Sequence, residues 1–247
     1  MNESGQGSAT LRVFRGDATG GEGREYRVET LPGMVVLDAL HQIQAEQDQT
    51  LAVRWNCKAA RCGSCSAEVN GRPRLLCKAR LDEFVGTIDV QPMKTFPLIK
   101  DLVTDVSFNY EVNKRIQPFT PREPGPFRIM QEDVDRVQEF RKCIECFLCQ
   151  DVCHVLREHG QYSAYFGPRY MVRMAALEMH PLDMADRREQ LHGDAGVQYC
   201  NITKCCEELC PEHIHITDNA IIPLKERVAD VRWDPLRWAI QRVTGKS

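Results

Sequence analysis

Twelve cysteines constrain this chain more than any other feature, because they fall in three tight groups and leave residues 1–56, 78–142, 154–199 and 211–247 without one. The first group, Cys57, Cys62, Cys65 and Cys77, is spaced C-x4-C-x2-C-x11-C. The second, Cys143, Cys146, Cys149 and Cys153, reads C-x2-C-x2-C-x3-C and is followed by His154. The third, Cys200, Cys205, Cys206 and Cys210 in "YCNITKCCEELCP", ends C-x3-C-P. The opening residues "MNESGQGSAT" have neither the basic segment nor the apolar stretch of a secretory leader, so a reducing cytosolic compartment is expected. Disulfides rarely persist there, and thiols gathered this tightly are read as metal or cluster ligands.

The C-x4-C-x2-C core of the first group has the plant-type 2Fe-2S spacing. A loop that curls around a cluster needs backbone freedom, which Gly63 supplies. The paired C-x2-C knuckles of a zinc-stabilised interaction module are missing, so a 2Fe-2S cluster is expected on Cys57, Cys62, Cys65 and Cys77.

In two-cluster ferredoxins the fourth cysteine of each run ligates the other cluster. Applied here, Cys143, Cys146, Cys149 and Cys210 hold a 4Fe-4S cluster, and Cys153 joins Cys200 and Cys206 at a second one. Counting back three from Cys206 places Thr203 where a regular run has its second cysteine. Threonine cannot replace a thiolate on iron, so a 3Fe-4S cluster is expected. Cys205 is left over, either as a substitute fourth ligand completing a 4Fe-4S cluster or as a small buried residue beside it. Strain in bringing adjacent cysteines to one cluster favours the second alternative.

The rest of the chain divides around these groups. "LRVFR" and "EYRVET" alternate as strands about the glycine-rich "GDATGGEG", which predicts a hairpin. "MVVLDALHQIQAEQD" places Val36, Leu40 and Ile43 on one helical face, "SAEV" and the segment ending at Cys77 flank the turn Asn70-Gly71, and "TIDVQP" gives a last strand. This is a small α+β unit over residues 9–105. From 106 to 127 a proline-rich surface linker is expected, with four prolines in the eleven residues of "QPFTPREPGPF". The remainder of 106–247 is expected to be helical, with Val134, Val137 and Phe140, then Tyr170, Met174 and Leu177, at helical spacing, and a further helix after Thr217. A net charge of −3 with 27% charged residues gives no basic surface for nucleic acid, and no apolar run approaches the ~20 residues of a membrane span.

With "CGSC", "NGRPRLLCKARL", "PMKTFPLIKDLVTD" and the three cysteine groups in this order, the chain resembles the iron–sulfur subunit of succinate dehydrogenase and fumarate reductase. The resemblance covers residues 10 to about 225. It implies an N-terminal β-grasp, 2Fe-2S ferredoxin-like domain followed by an all-α, bacterial-ferredoxin-like domain. It also implies that electrons pass from an FAD flavoprotein, where succinate becomes fumarate, through 2Fe-2S, 4Fe-4S and 3Fe-4S clusters to quinone, menaquinone among the candidates, at a membrane anchor subunit. The chain would then be the peripheral, cytoplasmic-face subunit of a membrane-bound enzyme of the respiratory chain and tricarboxylic acid cycle. The alternatives are fumarate reductase running in reverse, or the cluster subunit of another flavoprotein complex. The dicarboxylate chemistry would belong to the partner, because no G-x-G-x-x-G and no nucleophile-base set occurs here.

The sequence departs from that family around its quinone end. Where many members have proline and then tryptophan after the cysteine matching Cys153, this chain reads "HVLREHG", and Asn201 stands at the position of a usual histidine. His154 and His159 are candidate hydrogen-bond donors to cluster sulfide or proton carriers to quinone, or else exposed caps; a metal role for His213 and His215, expected in a short extended stretch, is the weaker alternative. Arg141 and Lys142 read as helix-end cations. The tail from Lys225 to Ser247, net +3 with Trp233 and Trp238, suits a membrane-interface or anchor-facing helix as well as one packed on its own domain.

Overall fold

The structure, a computed structural model, describes residues 7–233 together with 235 and 242. Strands β1 (Gly7–Asp17) and β2 (Gly20–Thr30) pair antiparallel, with Leu11 opposite Tyr26 and both buried. The predicted glycine-rich turn is mostly strand. Only Ala18 and Thr19 lie between the two, held by Thr19 donating from N and Oγ1 to Asp17 Oδ1 at 2.8 and 2.6 Å.

Helix α1 (Val36–Glu46) buries Val36, Leu37, Leu40 and Ile43. Strands β3 (Ser66–Val69) and β4 (Arg72–Leu75) are joined by Asn70 and Gly71, both at positive φ as a tight hairpin turn requires. Strand β5 (Ile88–Gln91) then runs parallel to β1, matching Leu11 to Ile88 and Val13 to Val90. Strands β6 (Leu98–Lys100) and β7 (Val103–Thr104) complete a mixed sheet of order β4-β3-β5-β1-β6-β7, with β2 on the other edge of β1. Sheet and α1 share one core, the β-grasp arrangement expected of the first half.

The expected linker begins differently. Helix α2 (Ser107–Asn113) buries Val112 and Asn109 in the second core, because the apolar partners of this short segment lie far along the chain. Beyond it the proline-rich stretch is tethered rather than loose: the buried Arg187 donates from Nε to Gln117 O at 2.8 Å and from Nη2 to Pro118 O at 2.9 Å, while pairing with Asp183 and Glu178.

The second half follows as α3 (Gln131–Gln138), the one-turn α4 (Leu148–Asp151) and α5 (His154–Arg157), then α6 (Pro168–Glu178) and α7 (Arg188–His192), and finally α8 (Cys205–Glu208) and α9 (Ile222–Trp233). Pro168 starts α6, where a missing N–H costs nothing, and Tyr170, Met171 and Met174 on that helix are fully buried. The helix predicted after Thr217 begins as a π-helical turn over Ile216–Ile221. His213 and His215 are not in a strand. His213 has a left-handed backbone, and His215 N and Nδ1 lie 2.8 and 2.6 Å from Glu139 Oε1, which gives this histidine a carboxylate partner. The Trp233 side chain and Trp238 lie outside the described residues, and the two readings of the tail with them.

Candidate cluster sites

The first cysteine loop is folded by backbone geometry that ordinary residues avoid. Lys58, Ala60 and Gly63 all have positive φ, which costs about 1–2 kcal/mol for each residue with a Cβ. The curl turns N–H groups onto sulfur: Ala59 N and Arg61 N stand 3.4 and 3.2 Å from Cys57 Sγ, and Ala60 N is 3.3 Å from Cys77 Sγ. Cys65 is buried and within electrostatic reach of Cys77 and Cys62, and burial pushes its thiol up to about 12. Burial opposes ionisation of Cys62 as well, but hydrogen bonds from Ser64 and Cys57 prevail and bring it to about 7.

The other eight cysteines sort into two neighbouring sets. Cys143, Cys146, Cys149 and Cys210 line one enclosed, largely apolar cavity with Phe147 and Arg169. Cys153 is in reach of Cys200 and Cys205, and Cys206 is in reach of Cys153, Cys200 and Cys205. The fourth cysteine of each run thus stands with the other run's partners, as the exchange rule requires. Ile214 N, 3.4 Å from Cys210 Sγ, adds another donor to sulfur. Thiols with N–H donors in dry pockets fit iron–sulfur clusters, which pass single electrons when bound.

The two runs repeat one backbone pattern. Glu145 and Phe147 flank Cys146 with φ of 56° and 62°, and Ile202 and Lys204 flank Thr203 with φ of 61° and 61°. Each unit leads directly into a one-turn helix, α4 or α8. Thr203 therefore occupies the position of Cys146, and Cys205 that of Leu148. The expectation that Cys205 is a buried packing residue is corrected: it is only half-buried, and its Sγ lies 3.2 Å from Thr203 Oγ1. Cys206, one residue on, is the buried one.

Other predicted residues fall at the far end of the chain of sites. His154 Nε2 and the Asn201 side-chain amide lie 2.6 Å apart, joining the residues that follow Cys153 and Cys200, and the rings of His154 and His159 are 6.1 Å apart. Sequence reasoning missed Tyr165 and Arg169. Tyr165 is fully buried, within electrostatic reach of Cys149, Cys153, Cys200 and Cys206, and its hydroxyl has no protein partner. Its aromatic neighbours in sequence, Tyr162 and Phe166, make it look like ordinary core.

The first and second loops touch. Gly63 has φ +66°, and a Cβ there would lie 2.6 Å from Cys146 Cα. Ser66 Oγ donates at 2.7 Å to Cys146 O and lies 3.0 Å from Gly63 O. The cysteine sets thus run in series across the two cores, first loop to Cys146 set to Cys153 set.

Burial also sets how the sites respond to acid. It pushes Cys146 and Cys206 up to about 12 and Cys153 up to about 11, so these groups are neutral thiols until iron displaces their protons. Chelator-driven bleaching of the intact assembly is expected to accelerate as the buffer falls from about pH 8 to about pH 6, since protons compete for the ligands. Visible absorbance decay that is independent of pH would contradict this.

A family model described as a 2Fe-2S iron-sulfur cluster binding domain matches residues 10–111, and one described as a 4Fe-4S dicluster domain matches residues 139–214. A chain of the Mycobacterium smegmatis Sdh1 complex in the apo form is 59% identical and superposes with a TM-score of 0.90, covering 93% of this chain and 99% of that one. The fumarate reductase iron-sulfur subunit of Mycobacterium tuberculosis is 32% identical over 200 residues, 76% of this chain and 79% of that protein. The succinate dehydrogenase iron-sulfur subunit of Bacillus subtilis is 29% identical over 209 residues, 78% of this chain and 81% of that protein. An uncharacterized iron-sulfur protein of Methanococcus maripaludis, 29% identical over 209 residues and 81% of this chain, is longer, and the chain spans 41% of its length.

A β-grasp half and a helical dicluster half, joined where their cysteine loops touch, define an iron–sulfur electron-transfer protein. Within that class, the chain belongs to the family of iron–sulfur subunits of succinate dehydrogenase and fumarate reductase. It carries 2Fe-2S and 4Fe-4S clusters as the electron-transfer part of an oxidoreductase complex. Among the described residues, no helix is long and apolar enough to cross a membrane.

Proposed function

We propose that this chain relays electrons from an FAD flavoprotein oxidising succinate to quinone at a membrane anchor, working peripherally on the cytoplasmic face. The 2Fe-2S domain spans 9–105 and holds its cluster on Cys57, Cys62, Cys65 and Cys77. The second domain, 106–247, holds a 4Fe-4S cluster on Cys143, Cys146, Cys149 and Cys210 and a 3Fe-4S cluster on Cys153, Cys200 and Cys206. The observation that carries the ligand assignment is the repeated left-handed pattern around Cys146 and Thr203, which puts a hydroxyl where the second thiolate of the last cluster would be. Cys205 falls in the register of Leu148, which is not a ligand position, and its half-buried Sγ lies 3.2 Å from Thr203 Oγ1. The 59% identity to a chain of the Sdh1 complex favours succinate oxidation, and the fumarate reductase named among the relatives is the second reading, the same relay driven in reverse. His154, His159 and Asn201 depart from the family's pattern at the quinone end, so either the quinone pocket is differently built here or quinone is reduced deeper in the anchor.

Low-temperature EPR of the anaerobically purified complex, with iron measured beside it, tests this. The oxidised complex should give a near-isotropic 3Fe-4S signal, with about nine irons in this chain by the 2 + 4 + 3 ligand count. Cys205→Ser should leave that signal at full intensity. Loss of the signal in wild type, with about ten irons instead, would mean that a fourth ligand completes a second 4Fe-4S cluster.

A further inference from the structure

Among the described residues, Arg169 and Arg187 have nearly inaccessible side chains, and they are treated differently. Arg187 spends every nitrogen: Nε on Gln117 O, Nη1 on Glu178, and Nη2 on Pro118 O and Asp183. Arg169, 1% exposed, does not. Its Nη1 donates to Asn113 Oδ1 at 2.9 Å and its Nη2 pairs with Glu145, but its Nε is buried with no partner. A buried charged donor without an acceptor costs more than a neutral one, and such a group calls for a partner that the polypeptide does not supply. Arg169 is also one of the residues lining the cavity of Cys143, Cys146, Cys149 and Cys210, so an occupant of that cavity is the available candidate for the partner. The charge is also incompletely matched: Glu145 is shared between Arg169 and the half-exposed Arg173, leaving one carboxylate for two guanidinium groups.

We propose that Arg169 is a tuning residue of the 4Fe-4S cluster, supplying a hydrogen bond to its sulfur and a fixed positive charge that raises its reduction potential. Reduction adds one negative charge to the cluster. A cation held in a low-dielectric pocket, and a donor to sulfur, both favour the more negative state. Raising the middle site of a three-site relay eases electron entry from the first loop, whose Gly63 and Ser66 meet Cys146. Asn113 fixes the guanidinium from α2, which gives that unexpected helix a role at the cluster. The proposal rests on the assignment of these four cysteines to a 4Fe-4S cluster.

The test uses the intact complex grown with guanidino-15N arginine, reduced until the 4Fe-4S signal appears, and examined by pulsed electron-nuclear resonance. A 15N coupling is expected in wild type and should vanish in Arg169→Lys. Potentiometric EPR should show Arg169→Lys close to wild type. For Arg169→Met the reduced-to-oxidised ratio at the wild-type midpoint should fall about tenfold, which is about 59 mV for a one-electron couple. A full-intensity reduced 4Fe-4S signal without nitrogen coupling, or an Arg169→Met midpoint unchanged from wild type, overturns the proposal. If the methionine variant fails to assemble, the labelled wild-type complex still decides. A wild-type complex short of iron and lacking any reduced 4Fe-4S signal would instead overturn the ligand assignment beneath it.

Discussion

Arg157→Met should destabilise the protein by about 3–5 kcal/mol, the range for removing one partner of a buried ion pair. Arg157 Nη1 donates to Glu68 Oε1 at 2.6 Å and to Asp151 O at 3.1 Å, and stands 3.8 Å from Asp151 Oδ2. Both carboxylate side chains are fully inaccessible. Glu68 belongs to β3 and Asp151 to α4, and Thr95 adds to the seam by donating from N to Asp151 Oδ1 at 3.0 Å. Without the guanidinium, two buried carboxylates face each other with only the exposed Lys94, 3.5 Å from Glu68, to balance them. The loss should depend on pH, with a definite sign. Burial first, and then the neighbouring Glu68 carboxylate, push Asp151 up to about 6 against the hydrogen bonds from Thr95 and the charge of Arg157. A carboxyl raised in the folded state favours folding below its unfolded pKa, and that stabilisation is lost as pH rises through about 6. Removing the cation raises this group further, so the variant's deficit should be largest in alkaline buffer and shrink as acid neutralises one carboxylate. Unfolding midpoints of the anaerobic complex at several pH values test this, and an offset that stays constant across the range would refute it.

What the sequence disclosed follows from how local each requirement is. A cluster ligand set is written in short spacings, so the cysteine groups, the proposed exchange of Cys153 and Cys210 and the gap at Thr203 could be read without a structure. The Asn70-Gly71 turn was legible for the same reason. Features that depend on distant partners were not. "SAEV" alternates as a half-exposed strand would, yet all four of its residues are buried, because Arg157, 89 positions away, covers Glu68 and the Cys146 loop, 80 positions away, covers Ser66. Helix α2 hides in a segment whose prolines dominate its composition, and its burial depends on the second core. Arg169 looks like one more surface cation near a helix start until the fold brings four cysteines around the same cavity. Spacing already separated Cys206, in the C-x3-C-P ending, from the leftover Cys205, but not how exposed the latter is; the left-handed Lys204 leads into a helix that buries Cys206 and leaves Cys205 half-buried against Thr203.

Gly63→Ala is expected to cost about 2–5 kcal/mol, combining about 1–2 for a left-handed residue with a Cβ and about 1–3 for overpacking. The added carbon would lie 2.6 Å from Cys146 Cα, 2.8 Å from Cys146 N and 2.8 Å from Ile144 O, all backbone atoms of the neighbouring cysteine loop. Backbone that must also present Cys143 and Cys146 to one cavity cannot move aside as a flexible side chain could. The two loops would therefore separate, and the Ser66 bond to Cys146 O would break with them. Gly33→Ala provides the control: Gly33 has φ +81° with nothing within 4 Å of its added carbon, so it carries the backbone strain without the collision. With both sites reduced, the magnetic coupling between the first cluster and the second should weaken in Gly63→Ala and persist in Gly33→Ala, and electron passage between them should slow only in the former. Equal stability losses in the two variants, with the coupling intact in both, would mean that the contact at Gly63 does not set the spacing of the first relay step.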